Sequence, residues 1–163
     1  HRDVDELIGW MRDRVPGLVL RTTFIVGFPG ETEDEFSHLL ESVTRVRFDR
    51  VGAFRYSDEE GTAAFAMNDR VPGRVKERRK QQLMAAARAI TLEENRKLVG
   101  QELDVLVEGR PEAASEWYAG RSYRDAPEVD GLVLIKAENL PLGEIVRVRV
   151  ERALAYDLLA RPV

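Results

Sequence analysis

Gly27-Phe28-Pro29-Gly30-Glu31-Thr32 joins an apolar, β-branched run to a helix-like segment. Glycines let a backbone approach a ligand closely, and the N–H groups that open a helix favour an anion. The turn lacks the Lys-Ser/Thr pair of a phosphate loop and the glycine spacing of a dinucleotide site. It therefore suits a binding loop and a plain strand-to-helix connection equally. Glu31 alone suits a helix-start acid favoured by the dipole. A second group, Tyr56-Ser57-Asp58-Glu59-Glu60-Gly61-Thr62, ends the next strand-like run. Ligand sites of parallel α/β folds gather at the C-terminal ends of strands, which puts both groups on one edge. The three consecutive acids read as a solvated turn, since adjacent loop acids seldom converge on one cation. Arg21 interrupts an apolar run, where a buried guanidinium needs either a structural carboxylate or an anionic ligand.

The elements that must position these residues follow from periodicity. Val4, Leu7, Ile8 and Met11 fall on one helical stripe, which Pro16-Gly17 ends. Residues 18–26 read as a strand covered on both faces. Thr32 and Glu35 have the spacing of a capping box, and Phe36, Leu39, Leu40 and Val43 form the stripe of a second helix. Asp49 to Tyr56 is a further strand, and the alternation predicts an α/β fold with a parallel sheet or barrel. Residues 62–71 connect to a long helical segment from Val71-Pro72 to about Lys97, with Leu83, Ala87 and Ile90 on one side. Its basic first half, RVKERRKQQ, reads as an exposed face bridging two domains, with a nucleic-acid patch as the other reading. From Gly100 onward, short alternating runs such as Val146-Val148-Val150 predict a small antiparallel β-barrel of the OB kind.

Composition narrows the chemistry. The 163 residues contain no cysteine and only two histidines, His1 and His38. Thiolate metal sites, a cysteine nucleophile and a Ser-His-Asp triad are thereby disfavoured. No apolar run is long enough to span a membrane, and a cytosolic setting fits the absence of cysteine. The net charge of −4 is uneven: residues 99–163 carry 8 basic and 12 acidic side chains, and the rest balances to zero. Within that acidic third lies Arg124-Asp125-Ala126-Pro127-Glu128-Val129-Asp130-Gly131, a stiff, negatively charged connection between strands. Such a surface fits a basic protein better than nucleic-acid phosphates, and a solvated face fits as well.

Four segments in order, IVGFPGETEDEF, FRYSDEEGTAA, VPGRVKERR and GRSYRDAPEVDG, together resemble the radical SAM methylthiotransferases, and they span nearly the whole chain. The resemblance implies the last strands and helices of a partial (β/α) barrel over residues 1–71, a linker helix over 72–98, and a TRAM β-barrel over 99–163. It implies S-adenosylmethionine and two 4Fe-4S clusters in an intact parent. It places Ile25, Gly27 and Glu31 beside the methionine or adenine of that cofactor. Phe54, Arg55, Tyr56 and Ser57 follow at the adenine, with Arg21 as a further polar contact. Arg121, Asp125, Glu128 and Asp130 would face the substrate from the TRAM domain.

The acidic GRSYRDAPEVDG segment resembles the branch that methylthiolates the β-carbon of an aspartate in a small-subunit ribosomal protein. The branch that modifies an adenosine of transfer RNA is the alternative, and a stand-alone TRAM module that binds protein or RNA is another. The chain departs from the family in lacking the CxxxCxxC triplet, so it has no cluster thiolates. The expectation is a truncated C-terminal portion that carries no catalytic residue of its own and is inert alone.

Overall fold

A computed structural model describes residues 2–111 and 116–163, without the side chains of Arg2 and Asp3. It contains two compact units, His1–Ile90 and Thr91–Val163. In the first, α1 (Arg2–Arg14), β1 (Arg21–Val26), α2 (Glu33–Val46), β2 (Arg50–Arg55) and a short 3-10 turn (Ala63–Ala66) precede α3 (Gly73–Arg96). The strands pair in parallel, with Ile25 opposite Phe54 and Val26 opposite Arg55. The capping box forms as its spacing demands: Thr32 Oγ1 accepts the Glu35 N–H and Glu35 accepts the Thr32 N–H. Those bonds hold the Glu35 carboxyl below its ordinary 4.5, the Thr32 backbone N–H having the largest effect. At the other end of α2, Arg12 of α1 donates to the carbonyls of Val46 and Arg47, which the helix leaves without partners.

Phe36 and Val43 of α2 and Leu83 and Ile90 of α3 pack with Val26 and Ala53 on one face of the two-stranded sheet. The other face is open. Exposure alternates along β1, and Ile25 and Phe54 stand side by side at 59% and 62% exposure. A strand covered on both faces is therefore not what this unit contains. The lack of clean alternation in residues 18–26 came from Thr22 and Thr23, which suit either face of a strand. In α1 the inward side is Ile8 and Met11, while Val4 and Leu7 are half exposed. Arg21 is also exposed, at the start of β1, rather than buried in an apolar strand.

In the second unit β3 (Glu102–Gly109), β4 (Trp117–Ser122), β5 (Val133–Lys136), β6 (Ile145–Ala153) and β7 (Leu158–Pro162) close a barrel in the order β3-β4-β5-β7-β6. All pairs are antiparallel except β5 with β7, so the barrel is mixed at one seam. Inward residues alternate as the period of a strand requires, and Val105, Val107, Val133, Ile135 and Val148 are fully enclosed. Each such side chain contributes about 1.5–3 kcal/mol by leaving water. Among the described residues, closure leaves no free sheet edge in this unit.

Candidate functional site

Seven sequence-predicted residues converge where β1 and β2 end. Ile25, Phe54 and Arg55 close the two strands, and Gly27, Tyr56 and Ser57 follow directly. Glu31 returns to this edge from the far side of the turn. Its two carboxylate oxygens each lie 3.0 Å from the Gly27 N–H. Arg21 does not join them: it lies five residues back along β1, about 17 Å away at ~3.3 Å per residue.

Four N–H groups of the turn are engaged within the chain. Among its N–H groups, that of Gly27 goes to Glu31, that of Gly30 to Asp69 O at 2.7 Å, and that of Glu31 to Phe28 O at 2.9 Å. The Thr32 N–H is engaged by Glu35. These four donors are taken within the chain, the Glu31 carboxylate sitting against the Gly27 N–H. Gly27 needs to be glycine for two reasons: its φ is +77°, and a Cβ there would collide with the Lys76 stem.

Two cations of α3 complete the edge, and sequence reasoning took both for exposed helix face. Arg79 is only 3% exposed; it reaches the Glu31 carboxylate at 2.5 Å, the Glu31 carbonyl at 3.0 Å and Glu33 at 3.2 Å. Lys76 donates to the Tyr56 carbonyl at 3.0 Å, and its ammonium stands 5.0 Å from the centre of the Tyr56 ring. The missed signal was spacing. Arg79 lies four residues before Leu83 and eight before Ala87, on the stripe already assigned to the core.

The open face at this edge offers a flat apolar shelf. Phe54 and Ile25 are adjacent, and Gly52 behind them leaves the surface low, with Thr23 Oγ1 only 3.2 Å from where a Cβ would be. Phe28 meets the Tyr56 ring edge-on at 5.2 Å. The Tyr56 hydroxyl is enclosed and has no hydrogen-bond partner among the described residues. A flat aromatic ring suits that exposed shelf. Arg55 pairs with Glu77 at 3.1 Å, and Ser57 is exposed. Among the described residues no cluster of metal-ligating side chains occurs.

In the barrel unit the acidic segment is braced by its own carboxylates. Asp125 accepts the Ser122 hydroxyl at 2.7 Å and the Ser122 N–H at 3.1 Å, and Asp130 accepts the Ala126 N–H at 2.8 Å. Glu128 is instead exposed, at φ +61°, between exposed Pro127 and Val129. Arg121 is held by Glu108 at 2.5 Å. Further cross-strand pairs, Arg147–Asp104, Arg149–Glu102 and Arg161–Glu151, cover the outer barrel surface. The Arg147 hydrogen bond keeps the Asp104 carboxyl below its ordinary 3.8.

The second unit defines the class of this region: residues 99–163 match the model of the TRAM domain. The whole chain is similar to curated proteins named ribosomal protein uS12 methylthiotransferase RimO. The relative from Myxococcus xanthus is 50% identical over 157 residues, 96% of this chain and 33% of its own length. Those from Desulforamulus reducens and Microcystis aeruginosa are 47% and 49% identical over 154 residues, in each case 94% of this chain and 35% of the relative. The chain belongs to this methylthiotransferase family, and it spans about a third of the length of the curated relatives it matches.

Proposed function

We propose that the chain is the cofactor-edge and partner-selecting part of a radical SAM methylthiotransferase that acts on an aspartate β-carbon of ribosomal protein uS12. The observation that carries this reading is an identity of 45–50% that runs through both units to relatives bearing that name. In domain terms, residues 1–71 end the catalytic barrel, 72–98 link, and 99–163 select the partner, in the cytoplasm. When bound, S-adenosylmethionine, together with iron–sulfur clusters, supplies the radical and the methyl group. The residues here fit that cofactor and not the clusters, since the chain has no thiolate to ligate iron. Ile25 and Phe54 give the adenine an apolar shelf at the end of the two strands. Gly27 lets the backbone come close. The chain alone is accordingly inert, because none of its residues can generate the radical.

The acidic loop supports a protein partner over RNA. Glu128 occupies a left-handed conformation that costs a non-glycine residue about 1–2 kcal/mol, and strain of this kind clusters at ligand-contacting positions. A glycine would relieve it, so the carboxylate itself is what the position presents. Asp125 and Asp130 hold the loop in shape around it. Four arginines of the barrel surface, Arg121, Arg147, Arg149 and Arg161, already face carboxylates. Titrating the purified chain against uS12 and against transfer RNA at low and high salt tests the assignment. Binding of uS12 that weakens with salt is expected, and Glu128→Gln should reduce it. Salt-sensitive binding of transfer RNA with none of uS12 would sink it.

A further inference from the structure

We propose that Lys76 and Arg79 of α3 are positioning residues that hold the cofactor edge in its binding shape, each gripping one of the two strand ends. The inference rests on reading that edge as the S-adenosylmethionine site. The residues are three apart, so they project from neighbouring turns of one helix face. Lys76 takes the end of β2 through the Tyr56 carbonyl. Arg79 takes the turn after β1 through the Glu31 carbonyl and carboxylate, and that carboxylate in turn holds the Gly27 N–H. The Lys76 stem also fills the space that a side chain at Gly27 would need. Three contacts thus orient the Gly27 peptide, one residue beyond Val26 and beside the Ile25–Phe54 shelf.

Stability alone does not account for Arg79. Its Nε is enclosed without a partner among the described residues, and buried ion pairs replaced as a whole are commonly matched or bettered by apolar side chains of similar volume. Arg79 lies on the packed stripe with Leu83, where a methionine together with a neutral residue at position 31 would fill space without a buried charge. What an apolar residue cannot do is fix the direction of the Glu31 carboxylate, and through it the Gly27 amide. The Arg79 Nη1 donates to both the carbonyl and the carboxylate of Glu31 while Nη2 reaches Glu33, a spread of fixed directions that a point cation holds less well.

The test is an amide NMR titration of the purified 163-residue chain with S-adenosylhomocysteine. It compares wild type with Arg79→Met, Arg79→Lys and Lys76→Met, and uses Phe54→Ala as the variant that alters the shelf itself. In wild type the Ile25, Gly27 and Phe54 amides should move on adding ligand. Arg79→Met and Lys76→Met should bind about tenfold more weakly, the scale of one charge-assisted hydrogen bond, with resonances of the barrel unit unchanged. Arg79→Lys should fall between, and the free Gly27 amide should shift in Arg79→Met. If wild type binds and both methionine variants bind with the same affinity, the pair is structural and the proposal is overturned. If wild-type amides do not move at millimolar ligand, the cofactor-edge reading itself fails. The Gly27 shift in Arg79→Met then separates a clamp without a cofactor from no clamp at all.

Discussion

Gly27→Ala tests whether packing by Lys76, rather than backbone conformation alone, makes this edge. Gly27 and Gly30 have φ of +77° and +85°, so alanine costs about 1–2 kcal/mol at either through the left-handed backbone. They differ in surroundings. A Cβ at Gly30 meets open space, whereas one at Gly27 runs into the Lys76 side chain. Lys76 must then leave, and with it the hydrogen bond to the Tyr56 carbonyl. A bond from a charged donor contributes roughly 1.5–3 kcal/mol, so Gly27→Ala should cost about 2.5–5 kcal/mol against about 1–2 for Gly30→Ala. Urea unfolding followed by Trp10 fluorescence in a Trp117→Phe background reads the first unit alone, since Trp10 and Trp117 lie in different units. In a Lys76→Ala background the gap between the two glycine variants should shrink below about 1 kcal/mol, as expected when one shared contact causes it. An equal cost for both glycines, or a gap that survives removal of Lys76, would refute the packing argument.

Three further outcomes follow from other contacts. Glu35 has a carboxyl pKa lowered by the capping box, so its contribution is complete above the ordinary 4.5 and disappears as pH falls through the lowered value. The stability difference between wild type and Glu35→Gln should therefore be constant near neutral pH and collapse in acid, as urea midpoints at several pH values will report. Ile135→Ala, at an enclosed barrel position, should cost about 2–5 kcal/mol, and Ile145→Ala, at 70% exposure, within about 0.5 kcal/mol, both by Trp117 fluorescence. Glu128→Gly should stabilise the barrel unit by about 0.5–1 kcal/mol through relief of its φ of +61°, yet weaken uS12 binding in the same preparation.

The parts of the fold that local chemistry dictates were legible. The Thr32–Glu35 capping box needs only two residues at fixed spacing, and it forms as read. The alternation around Val146, Val148 and Val150 foretold barrel strands because period two has few other meanings. The parallel β5–β7 seam was not legible, since pairing partners far apart in sequence leave no local mark. Arg79 was misread for a different reason. Charge made it look solvated, although its place on the Leu83 stripe marked it as inward, and charge is the weaker guide when a carboxylate waits at the other end. The acidic loop shows the same blindness, since nothing in the order of its residues says which carboxylates turn back on their own backbone.

That distinction bears on the proposal that the loop selects a protein partner. Three acids in the segment suggest a strong negative patch, but Asp125 and Asp130 accept hydrogen bonds from the loop's backbone and from Ser122. Their oxygens are less available to a cation, so the contact chemistry narrows to Glu128 and its apolar neighbours Pro127 and Val129. An exposed ion pair contributes only about 0–1 kcal/mol, so the paired arginines of the barrel do not by themselves exclude a phosphate. What opposes RNA is the field of the unit as a whole, 12 acids against 8 bases in residues 99–163. Counterion release, which drives phosphate binding, would have to overcome that field. A lysine- or arginine-rich protein surface meets no such obstacle, and Glu128 presents an exposed carboxylate at the tip of the loop. On this reading the loop gains selectivity from geometry more than from the amount of charge it carries.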